Sequence, residues 1–216
     1  MSKPHVSGDA ATFWEQHYAK MTKPSGGRPS AILARFADGR SARHALDLGC
    51  ARGDDAIWLA KRGWTVTGVD VADAALSAAR EAAGKAGVAS RVKYERHDLG
   101  ASFPQGTFDL VTAMFLHSPV AFDRTAVLRR AAAAVAPNGL LLIGAHGSRA
   151  PWSWAARDTV YPTAQDELTE LKLDPSAWRA LFLGPIEREA TGPNGQKAIV
   201  VDNVVAIERN MLSGRN

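Results

Sequence analysis

The chain has 216 residues, 46% of them hydrophobic and 22% charged, with 26 Lys and Arg against 22 Asp and Glu. That length suits one domain with a sizeable core, and the composition excludes a disordered chain, a collagen or a coiled coil. The formal charge of +4 is spread from Lys3 to Arg215 with Arg129-Arg130 as a short pair, which gives a slightly basic surface rather than a nucleic-acid footprint. A single cysteine, Cys50, forms no internal disulfide. The start lacks the apolar stretch of a secretory leader, and no run reaches membrane-spanning length, so a cytoplasmic protein that neither crosses nor binds a membrane is expected.

Residues 1–43 stand outside the pattern that follows and are read as an N-terminal helical cover. From His44 onward, apolar runs of strand length alternate with Ala-rich segments of helix length, the pattern of a parallel sheet covered on both faces. Strand Ala45 to Leu48 stops at Gly49, and a helix holding Ile57, Trp58 and Leu59 begins after Gly53. Thr65 to Val69 forms a second strand ending in Asp70, after which Asp73 caps a helix whose Leu76, Ala79 and Ala83 share a face. Val92 to His97 is a third strand, Phe108 to Met114 a fourth and Leu140 to Ile143 a fifth. Between the last two, Val127, Leu128, Ala131, Ala132 and Val135 follow helical spacing up to a stop at Pro137-Asn138-Gly139.

Residues 44–146 therefore form the ligand-binding core of a single α/β domain. Residues 147–180, with Trp152, Trp154, Tyr161 and Trp178, are a candidate cover over an acceptor site. Residues 181–209 hold two strand-like runs joined through Gly192-Pro193-Asn194-Gly195, a hairpin that ends the sheet antiparallel.

In such a sheet ligands sit beyond the carboxyl ends of the strands, so the chemistry is sought there. After the first strand stands Asp47-Leu48-Gly49-Cys50-Ala51-Arg52-Gly53-Asp54-Asp55, and about twenty residues past the glycine turn the second strand ends in Asp70, placed to take the hydroxyls of a ribose. Ala51 and Asp54 occupy the positions of the second and third glycines of a dinucleotide fingerprint, and the added acidic residues repel phosphate. The turn suits an adenosine-type ligand with an amino-acid tail. No His or Cys cluster has metal-ligand spacing, and neither a Gly-x-Ser-x-Gly elbow nor a Gly-Lys-Ser/Thr loop is present.

These residues resemble the class I S-adenosylmethionine-dependent methyltransferases, with Asp47 to Gly53 as the first motif, Asp70 as the second-strand acid, and Ala51 where that family most often has glycine. His97-Asp98-Leu99, Phe108-Asp109-Leu110-Val111 and Pro137-Asn138-Gly139 are similar to later segments, and Trp14-Glu15-Gln16-His17-Tyr18 resembles the opening helix of the tellurite-resistance and thiopurine-type small-molecule branch. The resemblance implies a doubly wound, mostly parallel seven-stranded sheet with helices on both faces and an antiparallel C-terminal hairpin. It implies S-adenosylmethionine as cofactor and S-adenosylhomocysteine as product. Gly49, Cys50, Ala51 and Gly53 would surround the methionine moiety, with Asp47 and Arg52 at its amino and carboxylate ends. Asp70 would hold the ribose, Val71, Asp98 and Leu99 the adenine, and Met114 would lie beside them.

Methyl transfer from a sulfonium needs alignment, exclusion of water and, for some acceptors, removal of a proton. The acceptor is expected over the end of the fourth strand, where His117 is the candidate general base. Phe115, His146, Trp14, Tyr18, Trp152 and Trp154 are candidates for the acceptor wall or an aromatic lid. The expected reaction is transfer to a heteroatom of a small molecule. An RNA or protein methyltransferase, and a nicotinamide-type nucleotide-binding module on the same plan, are the alternatives.

Overall fold

Strands that are apolar on both faces must be covered on both sides, and the chain folds to meet that need. The computed structural model describes residues 9–21, 27–153 and 155–211, so Trp154 lies outside the described residues. In chain order the helices are α1 (Ala10–Ala19), α2 (Ala31–Ala37), α3 (Asp54–Lys61), α4 (Asp73–Lys85), α5 (Arg124–Ala133) and α6 (Ala164–Leu171). Strands β1 (His44–Leu48), β2 (Thr65–Asp70), β3 (Val92–Arg96), β4 (Phe108–Met114) and β5 (Val135–His146) run parallel. The long pair β6 (Trp178–Thr191) and β7 (Lys197–Arg209) is antiparallel, with β7 inserted between β5 and β6. The order β3-β2-β1-β4-β5-β7-β6 is the doubly wound, mostly parallel seven-stranded α/β sheet that the sequence implied.

Alternation along each strand sorts its residues between two layers. Ala45 packs with Ile32, Ile57 and Leu76 on the side of α2, α3 and α4, whereas Leu46 and Leu48 pack with Val127, Leu128 and Leu171 on the side of α5 and α6. Burying such side chains stabilises by about 1.5–3 kcal/mol each, so the Ala-rich helices lie close to the sheet without large side chains of their own. Among the described residues no helix is long and apolar enough to cross a membrane.

Two local expectations need correction. The helix read as reaching Val135 ends at Ala133, and Val135 opens β5. Pro137-Asn138-Gly139 is not a helix stop but a bulge within that strand: Phe108 pairs with Val135 and Leu110 with Leu140, so residues 136–139 stand opposite Asp109 alone. Proline tolerates that setting because a bulge asks for no ladder donor. Asp73, expected as a cap, is the first residue of α4 and instead pairs with Arg96 at 3.4 Å. The start of α4 is capped from outside by Glu15 of α1, whose two carboxylate oxygens each accept from the Ala74 N–H at 3.2 Å.

Candidate functional site

The strand order reverses between β1, which leads through α3 to β2 on one side, and β4 on the other. A cleft opens at the carboxyl ends of these strands, as the topology of open α/β sheets dictates. Its walls are Gly49 after β1, Asp70 and Val71 at the end of β2, His97, Asp98 and Leu99 after β3, and Phe115 to Ser118 after β4. Trp14 and Tyr18 roof it from α1, where Trp14 Nε1 donates to Ser118 Oγ at 3.3 Å.

The turn after β1 is held in an unusual shape by Asp70. One carboxylate oxygen accepts from the Ala51 N–H at 3.0 Å and the other from the Ala72 N–H at 3.1 Å. Three residues of the turn are left-handed, Gly49 (φ 69°), Ala51 (φ 48°) and Gly53 (φ 82°). Glycine adopts this region freely, while an alanine there costs about 1–2 kcal/mol, so the Asp70 hydrogen bond fastens the strained position. A Cβ on Gly49 would stand 2.7 Å from Leu116 Cδ1, inside the cleft. The missing Cβ of Gly53 serves packing instead, because its direction is filled by the Tyr94 hydroxyl and by Ala79 Cβ at 3.1 Å.

Below the turn lies a concentration of buried carboxylates. Asp47 is 2% exposed; Thr112 Oγ1 donates to its Oδ1 at 2.8 Å, and its buried Oδ2 has no hydrogen-bond partner. Burial first, and the neighbouring Asp55 second, push the Asp47 carboxyl up to about 7. Burial likewise raises Asp55 to about 6, against the Ser30 N–H that donates to it at 2.6 Å, and it raises Asp70 against its backbone donors. A pyrophosphate would add negative charge to this cluster. A ligand bringing an ammonium group relieves it, and the α-amino group of S-adenosylmethionine is such a group, so the residues present fit that cofactor.

Several residues named from sequence stand elsewhere. Cys50 is buried behind the turn, where a Cβ on Gly68 would lie 3.2 Å from its Sγ, and burial holds its thiol well above the ordinary range. It is a packing residue and does not line the cleft. Met114 faces the other layer, toward Gly144, where a Cβ would meet its Sδ at 3.1 Å. Arg52, half-buried on the turn, acts electrostatically on the Tyr18 phenol, which burial holds above its ordinary value. His146 and Trp152 line a second cavity, between the end of β5 and the β6–β7 hairpin. The walls of the two cavities touch where His146 stacks on His117 with ring centroids 5.7 Å apart, beside Phe115 at 4.8 Å from His146.

Some wall residues were not anticipated. His97, Leu116 and Ser118 line the cleft and follow directly on strands β3 and β4, so the rule that placed Asp98 and His117 also reaches them. Arg188, which lines the second cavity and is ion-paired with Asp202, was missed as well. The register pairs Arg188 with Val200, and Asp202 lies two residues on along the same face. The hairpin turn foreshadowed that register. Among the described residues no group of three or more His, Cys, Asp or Glu stands together to hold a metal.

Comparison with known proteins agrees with this geometry. Residues 45–139 match the model of a methyltransferase domain family. The chain is 31% identical over 139 residues to methyltransferase GfsG of Streptomyces halstedii, an alignment covering 59% of this chain and 49% of that protein. It is 37% identical over 105 residues to the ubiquinone biosynthesis O-methyltransferase of Vibrio parahaemolyticus, covering 48% of this chain and 43% of that one. The chain thus spans about half the length of these curated relatives, or somewhat less. Over 94% of this chain and 68% of the other, the fold matches that of TehB from Haemophilus influenzae with a TM-score of 0.64 and 18% identity. Residues 45–139, which build the turn, the Asp70 anchor and most of the cleft wall, thus match a methyltransferase domain, and the fold around them is shared with TehB.

Proposed function

We propose that the protein transfers the methyl group of S-adenosylmethionine to a heteroatom of a small-molecule acceptor by in-line displacement. The observation that carries this reading is the convergence of Gly49, Asp70 and Asp98 on one cleft, with the unpartnered Asp47 oxygen buried behind its turn. When bound, the sulfonium supplies an electrophilic methyl carbon. Asp70, already fixed by two backbone donors, presents its remaining acceptor capacity to the ribose hydroxyls. Val71 and Leu99 flank the adenine, and Asp98, which accepts from the Gly100 N–H at 2.9 Å, is placed for its exocyclic amine. Gly49 admits the methionine moiety, and Asp47 balances its ammonium from behind the turn.

The chain's remaining work is alignment and exclusion of water, for which Trp14 and Tyr18 close the roof. His117, on the cleft wall with its N–H donating to the Phe115 carbonyl at 2.8 Å, removes a proton from acceptors that need it. A roofed cleft suits a small acceptor better than a polymer, and the ubiquinone-pathway name of one relative supports the same class. The single buried cysteine supports a cytoplasmic setting.

Parallel calorimetric titration with S-adenosylmethionine, S-adenosylhomocysteine and nicotinamide dinucleotide tests the cofactor. Micromolar binding of the first two alone is expected, and binding of the dinucleotide alone would reverse the reading. Transfer of labelled methyl to thiols, phenols and amines tests the reaction. For an alcohol or phenol acceptor, His117→Ala is expected to lower kcat by about 10²–10⁴-fold, and an unaltered pH profile would remove His117 from that role.

A further inference from the structure

The segment that follows β5 is tied down along its length. The N–H groups of Gly147 and Ser148 donate to the Val201 carbonyl at 2.8 and 3.0 Å, and the Val201 N–H donates to Ser148 Oγ at 2.7 Å. Arg149 closes the next turn by donating to the carbonyls of Ala155 and Ser153 at 2.7 and 2.8 Å, and Asn203 Nδ2 donates to the Pro162 carbonyl at 2.7 Å. The second cavity between this segment and the hairpin is therefore a built site. Its walls include His146, Ser148, Trp152, Tyr161 and Arg188. The Trp152 ring sits so close to the hairpin turn that a Cβ on Gly192 would come within 2.6 Å of its Cδ2.

The chemistry of these walls selects a ligand class. Arg188 is paired with Asp202, which is 1% exposed, so its charge is already balanced and it offers little to an anion. Burial holds His146 below the ordinary histidine range, and the two charged groups that face it, Asp202 and Arg188, pull in opposite directions. The other named walls are hydroxyl and aromatic side chains, which favour a flat ring carrying hydrogen-bonding groups over an aliphatic or ionic ligand.

The wall of the cavity also packs against the wall of the cofactor cleft at a defined place. Phe115 and His117 face the cleft, His146 and Arg188 face the cavity, and the Arg188 guanidinium lies 5.5 Å from the Phe115 ring. Phe115 holds a left-handed φ of 53°, a conformation that side chains larger than glycine rarely adopt and that is often kept at functional sites. It sets an aromatic ring at the boundary.

We propose that the second cavity is the acceptor compartment, and that it takes an uncharged, hydroxylated aromatic of the phenol or catechol class whose hydroxyl reaches the cleft past His117 and His146. This rests on the transfer reaction proposed above. The probe is 2,3-dihydroxynaphthalene, titrated into protein saturated with S-adenosylhomocysteine, with 3,4-dihydroxybenzoate as the anionic comparison. The probe should bind together with S-adenosylhomocysteine. Trp152→Ala and Gly192→Ala should each weaken the probe at least fivefold while leaving S-adenosylhomocysteine affinity within twofold, which also reports that both variants are folded. Competition between probe and S-adenosylhomocysteine, or wild-type probe affinity in both variants, would overturn the compartment. Binding of the benzoate tenfold more tightly than the probe would overturn the uncharged class. Failure of the wild type to bind S-adenosylhomocysteine at all would instead sink the cofactor reading, and the acceptor assignment with it.

Discussion

The cofactor cleft and the second cavity lie at the same end of one sheet, yet they are assembled by different means and differ in charge. The cleft is made by the ends of parallel strands, each followed by a short turn, so its acids arrive one per strand: Asp47 on β1, Asp70 on β2, Asp98 after β3. Burial leaves the first two with raised carboxyls and Asp47 with an unpartnered oxygen. The second cavity is made by antiparallel register and a long segment laid over it, and there Asp202 is already matched by Arg188. On the assignments proposed above, one site takes a cation and the other a neutral molecule.

The strongest way to separate the two is to remove the anchor of the first. Asp70→Ala takes away the proposed ribose acceptor and also strips the partners from the Ala51 and Ala72 N–H groups, of which Ala51 is in strained backbone. A charge-assisted hydrogen bond is worth about 1.5–3 kcal/mol, so S-adenosylhomocysteine should bind at least tenfold more weakly. The probe of the second cavity should bind as before. Equal loss at both sites would mean that they are one site.

Next in size is the pH dependence that the buried acids impose on the free protein. The Asp47 carboxyl, pushed up to about 7 in the fold against about 3.9 in an unfolded chain, binds its proton more tightly when folded. Its contribution to stability is therefore fully present below about pH 4 and is lost as pH rises through about 7, and Asp55 acts in the same sense through about 6. Asp47→Asn should leave the melting temperature unchanged at pH 4 and raise it at pH 8. A gain of about 1 kcal/mol corresponds to about 2–4 °C for a chain of this size. Melting curves from pH 4 to 8 check this, and an equally steep decline in the Asn variant would exonerate Asp47. The same variant should bind S-adenosylhomocysteine less tightly, because the charge proposed to balance its ammonium from behind the turn is gone.

The contrast in construction also explains what could be read from the residues in advance. Glycine turns and strand-end acids at βαβ spacing are local signals, so the cleft positions of Gly49, Asp70, Val71, Asp98 and Leu99 follow from counting along the chain. Cys50 and Met114 were drawn into the site by adjacency, but one step along a strand or turn reverses the face a side chain presents. Pro137-Asn138-Gly139 carries the chemistry of a helix stop and of a strand bulge alike, and pairing with Phe108 and Leu110 decided between them. Trp152 and Tyr161 sit in a segment without periodicity, positioned by contacts to Val201 and Asn203 that lie some forty to fifty residues away in sequence. Nothing local announces such contacts.

The smallest effect concerns the roof. Helix α1 has no buried residue, so its place depends on a few directed contacts. Among the described residues these include the Trp14 hydrogen bond to Ser118 and the Glu15 carboxylate on the Ala74 N–H at the start of α4. A carboxylate at a helix N-terminus contributes about 0.3–1 kcal/mol, and a lost cap about 1 kcal/mol. Glu15→Ala removes both effects from an element that adds nothing to the core, so global melting should hardly change. Because α1 carries Trp14 and Tyr18 across the cleft, the cost should surface as faster release of S-adenosylhomocysteine, by up to about fivefold. Glu15→Gln, which keeps an oxygen acceptor and loses the charge, should fall between wild type and the Ala variant. Stopped-flow dissociation distinguishes the three proteins. Identical release rates would detach α1 from cofactor retention and leave Trp14 and Tyr18 as surface aromatics that merely border the cleft.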